Sequence, residues 1–65
     1  MNSHNNKRWL ALRVIDGDAI HSISYVWIAG SEVMIEPFDV ELPGTSFYSG
    51  TIRVERHPVP RLIFE

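Results

Sequence analysis

The chain has 65 residues, which suffices for one small domain and excludes a second one. Hydrophobic residues make up 45% of it and charged residues 22%, ordinary values for a globular protein, and the net charge is −2. The absence of cysteine excludes a disulfide framework and thiolate metal sites. No apolar run approaches a membrane span and no signal-peptide pattern is present, so a cytoplasmic location without membrane contact is expected.

The first residues differ in composition from the rest of the chain. Residues 1–8 carry almost no apolar surface to offset the entropy of ordering, which predicts a flexible N-terminal tail. Residues 9–65 are then expected to form a single β domain.

Turn signals divide this domain at intervals suited to strands. They are Asp16-Gly17-Asp18, Gly30-Ser31 and Pro43-Gly44, where glycine accepts the positive φ of a tight turn. The runs between them are rich in β-branched and aromatic residues, and none has an uninterrupted helical period. The pattern predicts an all-β protein.

The predicted strands span residues 9–16, 19–29, 32–42, 46–55 and, more weakly, 62–64. The short connections favour a single small antiparallel meander of four to five strands, strongly bent or curled into a partly open barrel. Most apolar residues of the third predicted strand occupy odd positions before Pro37 and even positions after it. This change predicts a bulge or sharp bend at Pro37, and Gly50 suggests a second bend.

Charge is segregated along the chain. Residues 14–52 contain six carboxylates and no lysine or arginine, whereas all six basic residues lie in the two flanks. One interpretation is that the flanks pair in space with the acidic middle; the other is a basic patch for nucleic acid or acidic lipid. The isoelectric point of about 5.8 argues against nucleic-acid binding.

Catalytic and metal-binding patterns are weak. Asp16 and Asp18 lack the further oxygen ligands of a calcium loop, so a turn is the simpler interpretation. The histidines, His4, His21 and His57, have no metal-ligand spacing on one element. No serine has a glycine-flanked elbow that would make it a nucleophile. We therefore predict a non-enzyme with no catalytic, cofactor-binding or metal-binding residue and no cofactor.

The two-residue period leaves apolar side chains on both sides of two predicted strands. In the first strand it places Leu10, Leu12 and Val14 on one side, with apolar residues on the other side as well. In the second strand the apolar residues of both sides predict an interaction surface. It consists of Tyr25, Val26, Trp27 and Ile28.

A surface of this kind predicts self-association, because soluble monomers seldom expose large apolar patches. We expect a homodimer with Trp27, or Val26 and Ile28, near its centre. The competing interpretation is a monomer in which residues 62–64 pack back as a latch and cover the patch.

Two functional hypotheses follow. The favoured one is a small non-catalytic β module that acts through protein–protein contact or self-association. The alternative is a small β-barrel that binds a ligand or nucleic acid through its basic flanks.

Overall fold

Six β-strands form one sheet. A computed structural model describes residues 7–65, and no helix occurs within that range. The strands are β1 (Arg8–Asp16), β2 (Ala19–His21), β3 (Ser24–Ala29), β4 (Glu32–Pro37), β5 (Thr45–Glu55) and β6 (Arg61–Phe64). The predicted all-β class and single sheet are confirmed.

Glycine permits two of the predicted turns. Gly17 has a φ of 61° and Gly44 a φ of 79°, values that residues with a side chain rarely adopt. The value at Gly44 is the one expected at the third position of a type II turn after proline.

Several strand limits differ from the predicted ones. The predicted second strand is interrupted at Ser22 and Ile23, giving β2 and β3, which both pair with β1. The third strand ends at Pro37, so residues 38–44 form a loop and not a bent continuation. β1 begins at Arg8, within the predicted tail; residues 1–6 of that tail lie outside the described residues.

The sheet is mostly antiparallel, and its order differs from a simple meander. The strand order is β4-β3-β1-β5-β6, with β2 beside β1, so the sheet has two edges and is not a closed barrel. Four of the five strand pairs are antiparallel, but β1 and β5 are parallel. The loop at residues 38–44 makes this possible, because it carries the chain across the sheet instead of folding β5 back against β4.

The core lies on one face of the sheet. It is a cluster of aliphatic residues from four strands, Ala11, Val14, Val26, Val33, Ile52 and Val54. Most of these side chains have no exposed surface, although residues 7–65 contain no second layer. The strands therefore curve around the cluster, and we call this side the core face.

The strict two-residue period fails in β1. Ala11 and Val14 are both fully buried, three positions apart, whereas Leu12 is 49% exposed. The predicted common side for Leu10, Leu12 and Val14 is therefore wrong. The pairing of β1 with β5 shifts register between Ala11 and Arg13, where β5 has an extra residue near Gly50. Three positions of β1, from Ala11 to Val14, therefore match four positions of β5, from Tyr48 to Ile52, and the alternation breaks in β1.

The C-terminal strand packs back onto the sheet as predicted. Phe64 lies with its ring centroid 4.9 Å from those of Trp9 and of Tyr48, in edge-to-face geometry. The Tyr48 hydroxyl also donates a hydrogen bond of 2.7 Å to the Glu65 carbonyl oxygen. These contacts lie on the core face and hold β6 beside β5.

Within residues 7–65, no helix is long and apolar enough to cross a membrane.

Candidate protein-binding groove

One row of side chains crosses the face opposite the core. Leu10 of β1 is the register partner of Tyr25 in β3 and of Phe47 in β5, and Tyr25 is opposite Glu36 in β4. Residues directly opposite each other on neighbouring strands share a face of the sheet. This row forms the floor of the site.

The loop at residues 38–44 lies over this floor and is held there by Tyr25. The Tyr25 hydroxyl donates a 2.6 Å hydrogen bond to the Val40 carbonyl oxygen and accepts one of 3.0 Å from the Leu42 amide. The Tyr25 ring packs 5.9 Å from that of Phe38. As a result Tyr25 is only 2% exposed, although its neighbours in the strand, Ser24 and Val26, face the other way.

Arg8 fastens the far end of the same loop. Its Nε donates to the Thr45 hydroxyl at 2.8 Å, and one terminal nitrogen donates to the Pro43 carbonyl oxygen at 2.9 Å. The guanidinium carbon lies 5.8 Å from the Tyr25 ring and 5.9 Å from the Trp27 ring. Loop and sheet are thus joined at two points, with space left between them.

That space is an open groove of about 420 Å³. Its lining is largely apolar and comprises Leu10, Tyr25, Glu41, Leu42, Pro43, Gly44, Thr45 and Phe47. Phe47 is 57% exposed, and Val40 on the loop is 60% exposed. The groove therefore presents the Phe47 ring to solvent, and the exposed Val40 lies on the loop that borders it.

Three carboxylates lie in or near the groove, and we call them the rim: Glu41 lines the groove, Glu36 is opposite Tyr25 in β4, and Asp39 belongs to the loop. Glu36, Asp39 and Glu41 are all exposed, and within residues 7–65 none of them forms an ion pair. Arg8, which also contacts the loop, donates its hydrogen bonds to the Pro43 carbonyl oxygen and to Thr45. The predicted pairing of basic flanks with the acidic middle therefore does not extend to these three carboxylates.

Other charged residues do pair. Arg56 binds both carboxylate oxygens of Asp16, at 2.7 and 3.1 Å, which links the C-terminal flank to the acidic middle. Hydrogen bonding from Arg56 lowers the pKa of Asp16 below its usual 3.8. Arg53 binds Glu65 at 2.7 Å, and Arg61 binds Glu55 at 2.6 Å.

The predicted interaction surface is divided by the fold. Val26 is fully buried in the core, and Tyr25 is buried under the loop, where it lines the groove. Trp27 and Ile28 are half-buried, and Trp27 shares the groove face with Tyr25 because they are two positions apart in β3.

Sequence reasoning misses most of the groove residues. The alternation of Phe38, Val40 and Leu42 with Asp39 and Glu41 has a strand period, although this segment is a loop. The signal that indicates a loop is the pair of boundaries, Pro37 before the segment and Pro43-Gly44 at its end.

The described residues offer little to a metal ion. Nowhere in residues 7–65 do three histidine or carboxylate side chains come together as metal ligands. The one buried polar residue of this range, Ser24, donates a 2.8 Å hydrogen bond to the Ser22 carbonyl oxygen.

Comparison with protein-family models, with curated proteins and with solved structures gives no match to this chain, so similarity assigns it neither a family nor a function.

Proposed function

We propose that this chain is a non-catalytic β module that binds another protein through the groove between β1, β5 and the loop at residues 38–44. The observation that carries the proposal is an open, largely apolar groove lined by the exposed Phe47. A chain of this size has few apolar residues to spare from its core. Exposed aromatic side chains in a concave site are typical anchoring points of protein interfaces.

The charge of the rim indicates the kind of partner. Glu41 lines the groove, Glu36 is opposite Tyr25 and Asp39 belongs to the loop, and none of the three forms an ion pair within residues 7–65. A partner segment with an apolar side chain flanked by lysine or arginine would fill the groove and neutralise the rim. Electrostatic complementarity of this type speeds association and rejects acidic competitors.

The alternative, phosphate binding through the basic flanks, has less support. Arg53, Arg56 and Arg61 each bind a carboxylate of the same chain, and phosphate contacts would have to replace those ion pairs. Arg8 is likewise engaged with the loop.

The proposal is tested by capture from a source-cell lysate with three baits. They are the unmodified chain, a Phe47→Thr variant, and an Ile20→Thr control that changes a similarly exposed strand residue outside the groove. We expect at least one protein to be retained by the first and third baits and lost with Phe47→Thr. A Glu41→Lys variant should weaken the same interaction, more strongly at low salt. If no retained protein depends on Phe47, the groove is not a binding site.

A further inference from the structure

Within residues 7–65 the edge strands of the sheet are β4 and β6, and the backbone groups that they direct outward differ. In an antiparallel ladder, alternate residues direct both the N–H and the C=O toward the partner strand. The Glu65 amide donates to the Thr51 carbonyl oxygen at 2.9 Å, which continues the pairing of β6 with β5. Arg61 and Ile63 then face β5 in the same way, and Leu62 and Phe64 direct their N–H and C=O groups outward.

The same reasoning applies to β4. The Phe38 amide donates to the Ile23 carbonyl oxygen at 3.2 Å, so Glu36, Met34 and Glu32 face β3 and the residues between them face outward. Pro37, at the next outward position, has no N–H to donate.

Charge separates the two edges further. Antiparallel pairing of β4 with a second copy about Met34 would place Glu32 opposite Glu36 on both sides of the axis. Like charges directly opposite each other destabilise a strand pair. Together with Pro37, this protects β4 from self-pairing.

Pairing of β6 with a second copy gives the opposite result. About a two-fold axis at Ile63, Leu62 lies opposite Phe64 of the other copy, and Arg61 lies opposite Glu65. The outward backbone groups of Leu62 and Phe64 then meet in the register that antiparallel hydrogen bonding requires. The complementary charges are those of Arg61, at the start of β6, and Glu65, the residue that follows its end.

We infer that β6 is a self-complementary edge through which two copies of this chain form a symmetric dimer centred on Ile63. The sheet continues from one copy into the other across this edge. The dimer does not depend on the proposed groove, because that groove lies between the loop and β1, β3 and β5.

The side chains available at this edge fit such an interface. The side chain of Arg61 is 60% exposed and that of Glu65 is 43% exposed, so both are accessible to the other copy. Phe64 is 41% exposed and would be covered by Leu62 of the second copy. A strand this short buries less area than stable dimers do, so the association is reversible and concentration-dependent.

Because the chain contains no cysteine, a single Ile63→Cys substitution tests the register directly. The two cysteines would face each other as a non-hydrogen-bonded pair, whose Cα separation of about 4.5 Å is within disulfide range. We expect oxidation to cross-link this variant at least about tenfold faster than an Ile20→Cys control at equal concentration, since a tenfold difference needs only ~1.4 kcal/mol. Equal rates would overturn the proposal.

Charge reversal separates a specific interface from a folding defect. Arg61→Glu and Glu65→Arg should each weaken dimerisation roughly tenfold in sedimentation equilibrium, since each puts like charges opposite at both ends of the strand pair. An equimolar mixture of the two variants should recover dimers, because an acidic side chain of one variant then lies opposite a basic side chain of the other at both ends.

The control for net charge is Arg13→Glu, which makes the same change as Arg61→Glu away from β6 and should leave dimerisation unchanged. A mixture of the two β6 variants that stays as monomeric as its components would refute the β6 dimer. An unmodified chain that stays monomeric over a hundredfold range of concentration would refute it as well.

Discussion

The two faces of this sheet are closed in different ways. On the core face, aliphatic side chains from four strands pack against each other until Val14, Val26 and Ile52 have no exposed surface. On the groove face a single loop covers Tyr25 through hydrogen bonds, and Phe47 two strands away stays 57% exposed. One face is sealed by packing and the other is partly covered by polar contacts.

The chain has 65 residues and no helix in its described part, so its apolar side chains are divided between the two faces of one sheet. Close packing on one side supplies the stability, because burial removes apolar surface from water there in full. The groove face has only the contacts that hold the loop, so Phe47 remains exposed there. Substitutions on the two faces should therefore have very different costs.

The largest effect is expected in the core. Ile52→Ala should lower the free energy of unfolding by about 2–5 kcal/mol, because it leaves a cavity among residues that cannot close it. Ile20→Ala, at a position 66% exposed, is the matched control and should cost far less. Urea denaturation measures both, and Ile52→Val, with an expected loss of about 0.5–1.5 kcal/mol, serves if the alanine variant does not fold. Equal losses at positions 52 and 20 would contradict the assignment of the core.

A smaller effect is expected where polar contacts close the groove face. Tyr25→Phe removes the hydroxyl that binds both Val40 and Leu42, and should cost about 1–2 kcal/mol. Hydrogen exchange of the Leu42 amide should accelerate more than exchange in β1, since the loop loosens before the sheet does.

Tyr48→Phe provides the control for this substitution. It removes one exposed hydrogen bond, to the Glu65 carbonyl oxygen, and leaves the loop untouched. If both tyrosine variants lose the same stability and the Leu42 amide is unaffected, Tyr25 does not anchor the loop.

The ion pair at the end of β1 should give a pH-dependent contribution. The pKa of Asp16 is lower in the folded chain than its usual 3.8, chiefly through the hydrogen bond from Arg56, so the charged form is favoured by folding. The contribution is therefore complete above pH 3.8 and lost as pH falls through the lowered pKa. Asp16→Asn should lower stability near pH 7, and the difference from the unmodified chain should vanish at low pH. Stability curves that stay equally far apart at every pH would exclude this ion pair as the cause.

The smallest effect is expected at the groove itself. Phe47→Thr keeps a residue that favours strands and removes an exposed ring, so it should change stability by less than about 1 kcal/mol. A thermal melt of this variant also validates its use in the capture experiment. A loss as large as that of Ile52→Ala would show that Phe47 belongs to the core.

Local features of the fold are predictable, because their causes lie within a few residues. Gly17 and Gly44 take the positive φ that their turns require, and the strand-forming runs beside them become strands. The strand predicted after Pro37 is wrong because alternation alone does not show where a backbone finds its hydrogen bonds. Tyr25, far away in the sequence, binds Val40 and Leu42 in place of a neighbouring strand.

The candidate site is less predictable for the same reason. Arg8 and Thr45 are 37 positions apart, yet the contact between them helps to shape the groove. The interaction surface predicted in β3 remains a prediction. Its residues Tyr25 and Val26 are buried, because apolar character favours burial without specifying which residues provide it.

By itself, the sequence of this protein determines an all-β domain, the positions of its turns and the packing of the C-terminal strand, since these depend on residue type and two-residue period. Only the tertiary structure decides that β5 lies parallel to β1, that Ala11 and Val14 share the core face, and that the acidic segment crosses the sheet as a loop. The physical reason is that strand partners, bulges and loop anchors depend on contacts between distant residues. The groove and the free edge of β6 are products of those contacts.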